Sequence, residues 1–211
     1  LRTSRMSLGQ KQAIEMYADK YCISYTDKFI DRSEYFNSET LCVEIGFGMG
    51  MATADIAENN PEKSYLGIEV HKPGVGRLLS EIERRGLKNL KIINHDAVEV
   101  LKNMIRDCSV DGFHVFFPDP WPKKKHHKRR LINSSFADLL AKKLKAGGYV
   151  YAVTDWENYA EQILGVFTKT PHLENAYTRW AERPSWRPST AFEIKGVGKN
   201  HTIREIYFKS V

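Results

Sequence analysis

Leu41-Cys42-Val43-Glu44-Ile45-Gly46-Phe47-Gly48-Met49-Gly50 sets the architecture. Five residues, apolar except for Glu44, predict a short buried strand; the alternating glycines predict a tight turn, and 51–58 reads as a helix behind it. Strand, glycine-rich turn and helix in that order open a nucleotide-binding α/β unit. The glycine spacing is one residue short of Gly-x-Gly-x-x-Gly, and glycine clusters also serve ordinary turns, so this motif by itself leaves the ligand undecided.

Glu44 narrows the choice. A carboxylate inside an apolar strand loses its water unless it is paired or meets a ligand, so a purely structural role is costly. An acid ahead of the glycines also suits a cationic ligand better than a pyrophosphate. S-adenosylmethionine carries a sulfonium and an ammonium and no phosphate, whereas NAD carries two phosphates.

The strand and helix alternation continues along the chain. A strand over 64–70 ends at Glu69, 23 residues past Gly46, the spacing of an acid that grips ribose hydroxyls. A helix over 74–85 follows, then a strand over 90–94 tipped by His95-Asp96, and a helix through Val98, Leu101, Met104 and Ile105. The strand 112–117 delivers Asp119, and an amphipathic helix over 129–145 is stopped by Gly147-Gly148. The strand 149–154 delivers Asp155, and 157–168 returns as helix. The runs 190–195 and 202–209 predict an antiparallel hairpin across the short 196–201 connection. The predicted fold is α/β: a doubly wound, mostly parallel, seven-stranded Rossmann-like sheet ending in that hairpin. Glu44, Glu69, Asp96, Asp119 and Asp155 then gather along one rim.

With 211 residues, 42 % of them apolar, the chain can bury one substantial core and reads as a single globular domain. Residues 1–40, a helix over 9–21 and an unperiodic loop over 22–40, cover the core of 41–211. The three cysteines are odd in number and widely spaced, which fits a reducing cytoplasm and no disulfide framework. No apolar run approaches the ~18 residues of a membrane span, and no secretory leader is visible. The sequence opens at Leu1 rather than at a methionine, with Arg2 and Arg5 close behind, and reads as continuing from an upstream segment. Nothing in the sequence fixes an oligomeric state; a monomer is the simpler expectation.

The second informative stretch is Phe117-Pro118-Asp119-Pro120-Trp121-Pro122, followed by Lys123-Lys124-Lys125-His126-His127-Lys128-Arg129-Arg130. Formal net charge is +6, and without that block of six cations the remainder is neutral. The basicity is therefore a local patch suited to an anionic partner. Prolines on both sides of Asp119 fix torsions and remove competing amide donors, holding the carboxylate in a set geometry. The plainer alternatives are an Asp-Pro turn for Asp119 and, for the cations, a solvated helix start or an import signal. Abutment on the tip of a strand favours a phosphate-backbone grip beside chemistry. His126 and His127 lack nearby Asp, Glu or Cys partners and make a poor ligand set, so no metal is expected. Trp121 is placed to stack on a base.

Val43-Glu44-Ile45-Gly46-Phe47-Gly48, Gly67-Ile68-Glu69-Val70-His71, His95-Asp96-Ala97, the Pro-Asp-Pro-Trp element, Thr154-Asp155-Trp156 and Arg187-Pro188-Ser189-Thr190-Ala191-Phe192-Glu193 together closely resemble the bacterial tRNA (guanine-N7)-methyltransferase family. The resemblance runs over 9–209. It implies a class I methyltransferase sheet, S-adenosylmethionine as donor and the variable-loop guanine of tRNA as acceptor. It further implies cofactor contacts at Glu44, Gly46, Gly48, Glu69, Asp96, Ala97 and Asp119, with Asp119 also the catalytic position. Lys123, Asp155 and the segment Thr190, Ala191, Phe192 and Glu193 correspond to substrate contacts. Lys125, His126, His127, Lys128, Arg129 and Arg130 match the stretch that interacts with RNA.

Guanine N7 bears an in-plane lone pair and no proton, so its methylation needs no general base. The ring becomes cationic, and a carboxylate in a partly dry pocket can stabilise that charge and orient N7. Two rivals stand on the residues alone. An NAD-linked oxidoreductase shares the strand, glycine and acid layout but gives the Pro-Asp-Pro-Trp element no purpose. A non-catalytic RNA-binding module explains the patch but not five acids at strand ends.

Overall fold

A computed structural model describes residues 5–190, Glu193 and 202–211. The chain divides into two compact units, Leu1–Arg106 with Trp186–Pro188, and Asp107–Ser185 with Ser189–Val211.

In the first unit, helix α1 (Leu8–Tyr21) starts at a capping box in which Ser7 and Gln10 exchange side-chain and backbone bonds. Strand β1 (Leu41–Ile45) is buried along its whole length, as expected of a parallel strand covered on both faces. The turn after it leads to α2 (Met51–Asn59), β2 (Ser64–Ile68), α3 (Lys72–Arg85), β3 (Leu90–Ile93) and α4 (Ala97–Asn103). The three strands lie in the order β3-β2-β1 with parallel pairing. Residues 22–40 hold one short 3-10 turn, Arg32–Glu34. They are fastened to the unit by Ile23 N to Ile92 O (2.8 Å) and Ile30 N to Met104 O (2.9 Å).

The second unit contains β4 (Val110–Phe116), a 3-10 turn over Lys124–Arg129, α5 (Ser134–Lys143), β5 (Leu144–Thr154), α6 (Glu157–Lys169), β6 (Leu173–Asn175) and β7 (Arg204–Ser210). Its strand order is β4-β5-β7-β6, with β4 and β5 parallel and β7 antiparallel to both β5 and β6. The seven strands make the doubly wound, mostly parallel α/β sheet that the alternation predicts.

Three details differ from the expected layout. The helix expected over 129–145 begins only at Ser134, because the Asn133 side chain accepts from Phe136 N (3.1 Å) and caps it there. It ends at Lys143, and Gly147 and Gly148 belong to β5. There the register slips from Val110 opposite Leu144 to Gly112 opposite Tyr149, and Lys145 Nζ holds both oxygens of Asp111 (3.0 and 2.9 Å) across the slip. The antiparallel partner of β7 at the C-terminus, among the described residues, is β6, three residues long. Thr190 is in no strand and Glu193 is helical, while the rest of the expected strand and its 196–201 connection lie outside the described residues.

Candidate functional site

The glycine turn of the first unit is built from left-handed backbone. Gly46, Gly48 and Gly50 have φ of 74, 60 and 73°, conformations that cost other residues about 1–2 kcal/mol each. A Cβ at Gly46 or Gly48 would meet nothing within 4 Å, so the turn leaves open space beside its backbone. The opposite holds at Gly74 in α3, where a Cβ would stand 1.8 Å from the Gly48 carbonyl oxygen. That close approach brings the first turn of α3 directly onto the glycine turn.

Glu69 ties these pieces together. Its Oε2 accepts from Gly48 N (2.9 Å), and its Oε1 accepts from Val70 N (2.7 Å) and His71 N (2.9 Å). Asn94 Nδ2 donates to the Glu69 carbonyl (2.6 Å), which adds the tip of β3 to the same knot. Of roughly four lone-pair positions on a carboxylate, three are taken by amides. Ribose gripping is the role that spacing predicts for Glu69; bracing the turn is a second one that spacing alone does not reveal.

Glu44 is 5 % exposed and pairs in register with Gly67. Burial pushes its carboxyl up to about 7; the nearby Glu69 charge adds to this and the Thr53 side chain opposes it. Asp96 caps α4, its Oδ1 accepting from Val98 N (2.9 Å) and Glu99 N (3.2 Å), and Ala97 is the first helical residue. Beside it the His95 ring stacks on Tyr25 at 3.7 Å, and Asn103 Nδ2 donates to the Tyr25 hydroxyl (2.7 Å). Tyr25 thus fixes part of the 22–40 segment on the β3 tip, a role that its unperiodic surroundings do not signal.

In the second unit, Phe117 and Trp121 both have positive φ, 50 and 43°, and bracket Pro118-Asp119-Pro120. Two strained residues at the ends of a proline-locked loop are a feature that function-bearing segments concentrate. Asp119 is exposed and, among the described residues, its carboxylate makes no hydrogen bond or ion pair. Lys123, Lys124, Lys125, Lys128 and Arg129 are exposed beside it, and His126 and His127 are half-buried. Arg129 lies over the Trp121 ring at 5.0 Å and His126 meets it edge-on at 5.9 Å. Arg130 departs from the group: it is 2 % exposed, whereas its cationic neighbours face solvent.

Asp155 is half-buried between β5 and α6, where Trp156 N donates to the buried Thr154 hydroxyl (3.2 Å). Thr190 and Glu193 are joined reciprocally: Glu193 N donates to Thr190 Oγ1 (3.1 Å) and Thr190 N to Glu193 Oε2 (3.4 Å). Arg183 further anchors Glu193 (3.0 Å) and Ser189 (3.0 Å). The signal is present in the sequence as Thr-x-x-Glu, a capping-box pattern, but the same residues also fit the alternation of a strand. Ala191 and Phe192 lie outside the described residues.

Comparison with known proteins adds a family. A family model described as "Putative methyltransferase" matches residues 38–206. Over 100 % of this chain and 93 % of its own length, the tRNA (guanine-N(7)-)-methyltransferase of Francisella philomiragia is 49 % identical. The protein of that name from Chromobacterium violaceum is also 49 % identical, over 99 % of this chain and 93 % of its own. Among solved structures, the 16S rRNA methyltransferase KamB superposes with a TM-score of 0.62 at 12 % identity, covering 87 % of this chain and 94 % of that one. An S-adenosylmethionine-dependent O-methyltransferase from Thermotoga maritima gives 0.54 at 15 % identity, over 100 % and 68 %. At such identities these two speak for the fold alone. The full-length likeness to the curated relatives settles the family: this chain belongs to the tRNA (guanine-N(7)-)-methyltransferases.

Proposed function

We propose that this chain transfers a methyl group from S-adenosylmethionine to N7 of a guanine in tRNA, at the variable-loop position that the family resemblance implies. The observation that carries the reading is Asp119: a carboxylate without a partner among the described residues, on a loop locked by prolines, with five exposed cations following it.

The first unit fits the donor. When bound, S-adenosylmethionine supplies an electrophilic methyl group on a sulfonium. The open space at Gly46 and Gly48 is a backbone cradle, and the buried Glu44 carboxyl offers negative charge to a cationic ligand. Glu69 keeps the cradle rigid and has one lone pair left for a hydroxyl, and the Asp96 and Ala97 tip of α4 completes the set.

The second unit fits the acceptor. Guanine N7 attacks through its own lone pair, so Asp119 has no proton to remove. Asp119 instead accepts hydrogen bonds that orient the base and faces the positive charge that grows on the ring. Being exposed in the free chain, it becomes shielded when the base docks. Lys123, Lys125, Lys128 and Arg129 grip phosphates, and Trp121 flanks a base drawn out of the tRNA fold. Asp155, Thr190 and Glu193 complete the substrate contacts. The three free cysteines, Cys22, Cys42 and Cys108, accord with work in a reducing cytoplasm.

The test is transfer of a labelled methyl group to an unmodified tRNA transcript, followed by mapping of the modified base. The expected product is 7-methylguanosine at one variable-loop position. Label on another base or ring position, or none, contradicts the reading.

A further inference from the structure

We propose that Arg130 is a positioning residue that holds the Asp119 loop in place, and not one of the cations that grip RNA; this rests on the function proposed above.

Residues 118–122 cannot hold themselves. Pro118, Pro120 and Pro122 have no amide N–H to donate. Among the described residues a single hydrogen bond reaches this segment, from Arg130 Nε to the Pro120 carbonyl oxygen (2.8 Å). The near end of the loop is fixed by Phe117 N to Val153 O (2.7 Å), so the Arg130 bond is the corresponding tie on the far side of Asp119.

The rest of the guanidinium is anchored in α6 and in the 3-10 turn that precedes Arg130. One terminal nitrogen donates to Gln162 Oε1 (2.6 Å), the other to Asn158 Oδ1 (2.9 Å) and to His127 Nε2 (3.1 Å). The plane lies over the Tyr159 ring at 4.7 Å. Tyr159 in turn accepts from Ile132 N (3.1 Å), and Gln162 Nε2 donates to Ile132 O (3.1 Å), so the α6 side of the clamp is itself fixed. Four of the five guanidinium N–H donors are directed at protein acceptors. None of those acceptors is a carboxylate, although burying a cation with neutral partners alone is expensive. What the arrangement provides is geometry: a planar fork connecting α6 to the residue next to Asp119. A lysine has the charge but not the fork.

The experiment compares the wild-type protein with Arg130→Lys, Gln162→Met and Lys125→Ala in steady-state methylation of a tRNA transcript, with tRNA binding measured over a range of salt. For Arg130→Lys the expectation is a kcat loss of roughly 10²-fold, the scale of an ångström-sized misplacement. KM for tRNA and the salt slope should stay near wild type. Gln162→Met leaves the guanidinium in place and removes one of its acceptors, together with the Gln162 bond to Ile132 O, so it guards against an unfolded Arg130→Lys; its kcat should fall about tenfold, the scale of one charged hydrogen bond. Lys125→Ala should instead show its effect on KM and a shallower salt slope. If Arg130→Lys behaves like Lys125→Ala, Arg130 contacts RNA and the proposal is overturned. Native kcat in both Arg130→Lys and Gln162→Met overturns it as well. Absence of transfer by the wild-type protein is a separate outcome, which sinks the functional reading on which the proposal rests.

Discussion

Glu69 Oε2 accepts the backbone amide of Gly48 at 2.9 Å, so the second strand's terminal acid braces the turn that follows the first strand. In Glu69→Gln the oxygen can serve Val70 N and His71 N, but the amide nitrogen then faces the Gly48 N–H, donor against donor. An unsatisfied donor there should cost about 1–3 kcal/mol of stability. Thermal unfolding should show the loss, and calorimetry with S-adenosylhomocysteine should show affinity at least roughly tenfold weaker, the equivalent of about 1.4 kcal/mol. A variant with native affinity would mean the brace has no bearing on the cofactor.

The glycines divide by cause. Gly46→Ala adds a methyl group in open space and is penalised only for its φ of 74°, by about 1–2 kcal/mol. Gly74→Ala sets a Cβ 1.8 Å from the Gly48 carbonyl oxygen and must push α3 away from the turn. Melting temperatures should therefore fall further for Gly74→Ala than for Gly46→Ala. The reverse order would place the strain in the turn alone.

Glu44 makes stability and binding depend on pH. Its folded carboxyl is raised to about 7 from an ordinary 4.5, chiefly by burial. The folded state therefore holds its proton where the unfolded state has released it, and stability falls as pH rises from about 4.5 to about 7, by an amount on the order of 3 kcal/mol. Without ligand, Glu44→Gln should be more stable than wild type at about pH 8 and lose that advantage near pH 4. A cationic cofactor favours the ionised form, so its binding at about pH 6.5 should release a proton, seen as a binding enthalpy that changes with the buffer. Buffer-independent enthalpy would contradict a protonated Glu44 in the free protein.

The exposed cations should act on encounter with RNA. Removing one cation that neutralises a phosphate should flatten the plot of log K against log salt by about 0.7–0.9. Lys125→Ala and Lys128→Ala should each do this and raise KM for tRNA, as read by filter binding at several ionic strengths. An unchanged slope in both would place the polyanion elsewhere on the protein.

Much of the first unit is legible in the sequence because its signals are local. A pentapeptide apolar but for Glu44, glycines that must take positive φ and an acid at a fixed distance each name their own structure. The second unit is less so. Arg130 looks like its neighbours in a charge run, and only the 3-10 turn and the Asn133 cap rotate it inward, away from the helical spacing that 129–145 suggests. Strand β6 has three residues, too few for alternation to register, and is defined by its pairing with β7. Thr190 and Glu193 carry two compatible patterns, a strand and a capping box, and the hydrogen bonds between them are the reciprocal pair of the box. Thr53 is one buried threonine in a helix until its side chain is found beside Glu44.

The central claim is that Asp119 stabilises and orients the guanine during transfer. Single-turnover methylation by Asp119→Ala, with cofactor and tRNA both saturating, addresses it most directly. Without this preorganised electrostatic partner the step should slow by roughly 10²–10³-fold, with S-adenosylhomocysteine and tRNA still bound. Transfer at the wild-type rate would contradict the account.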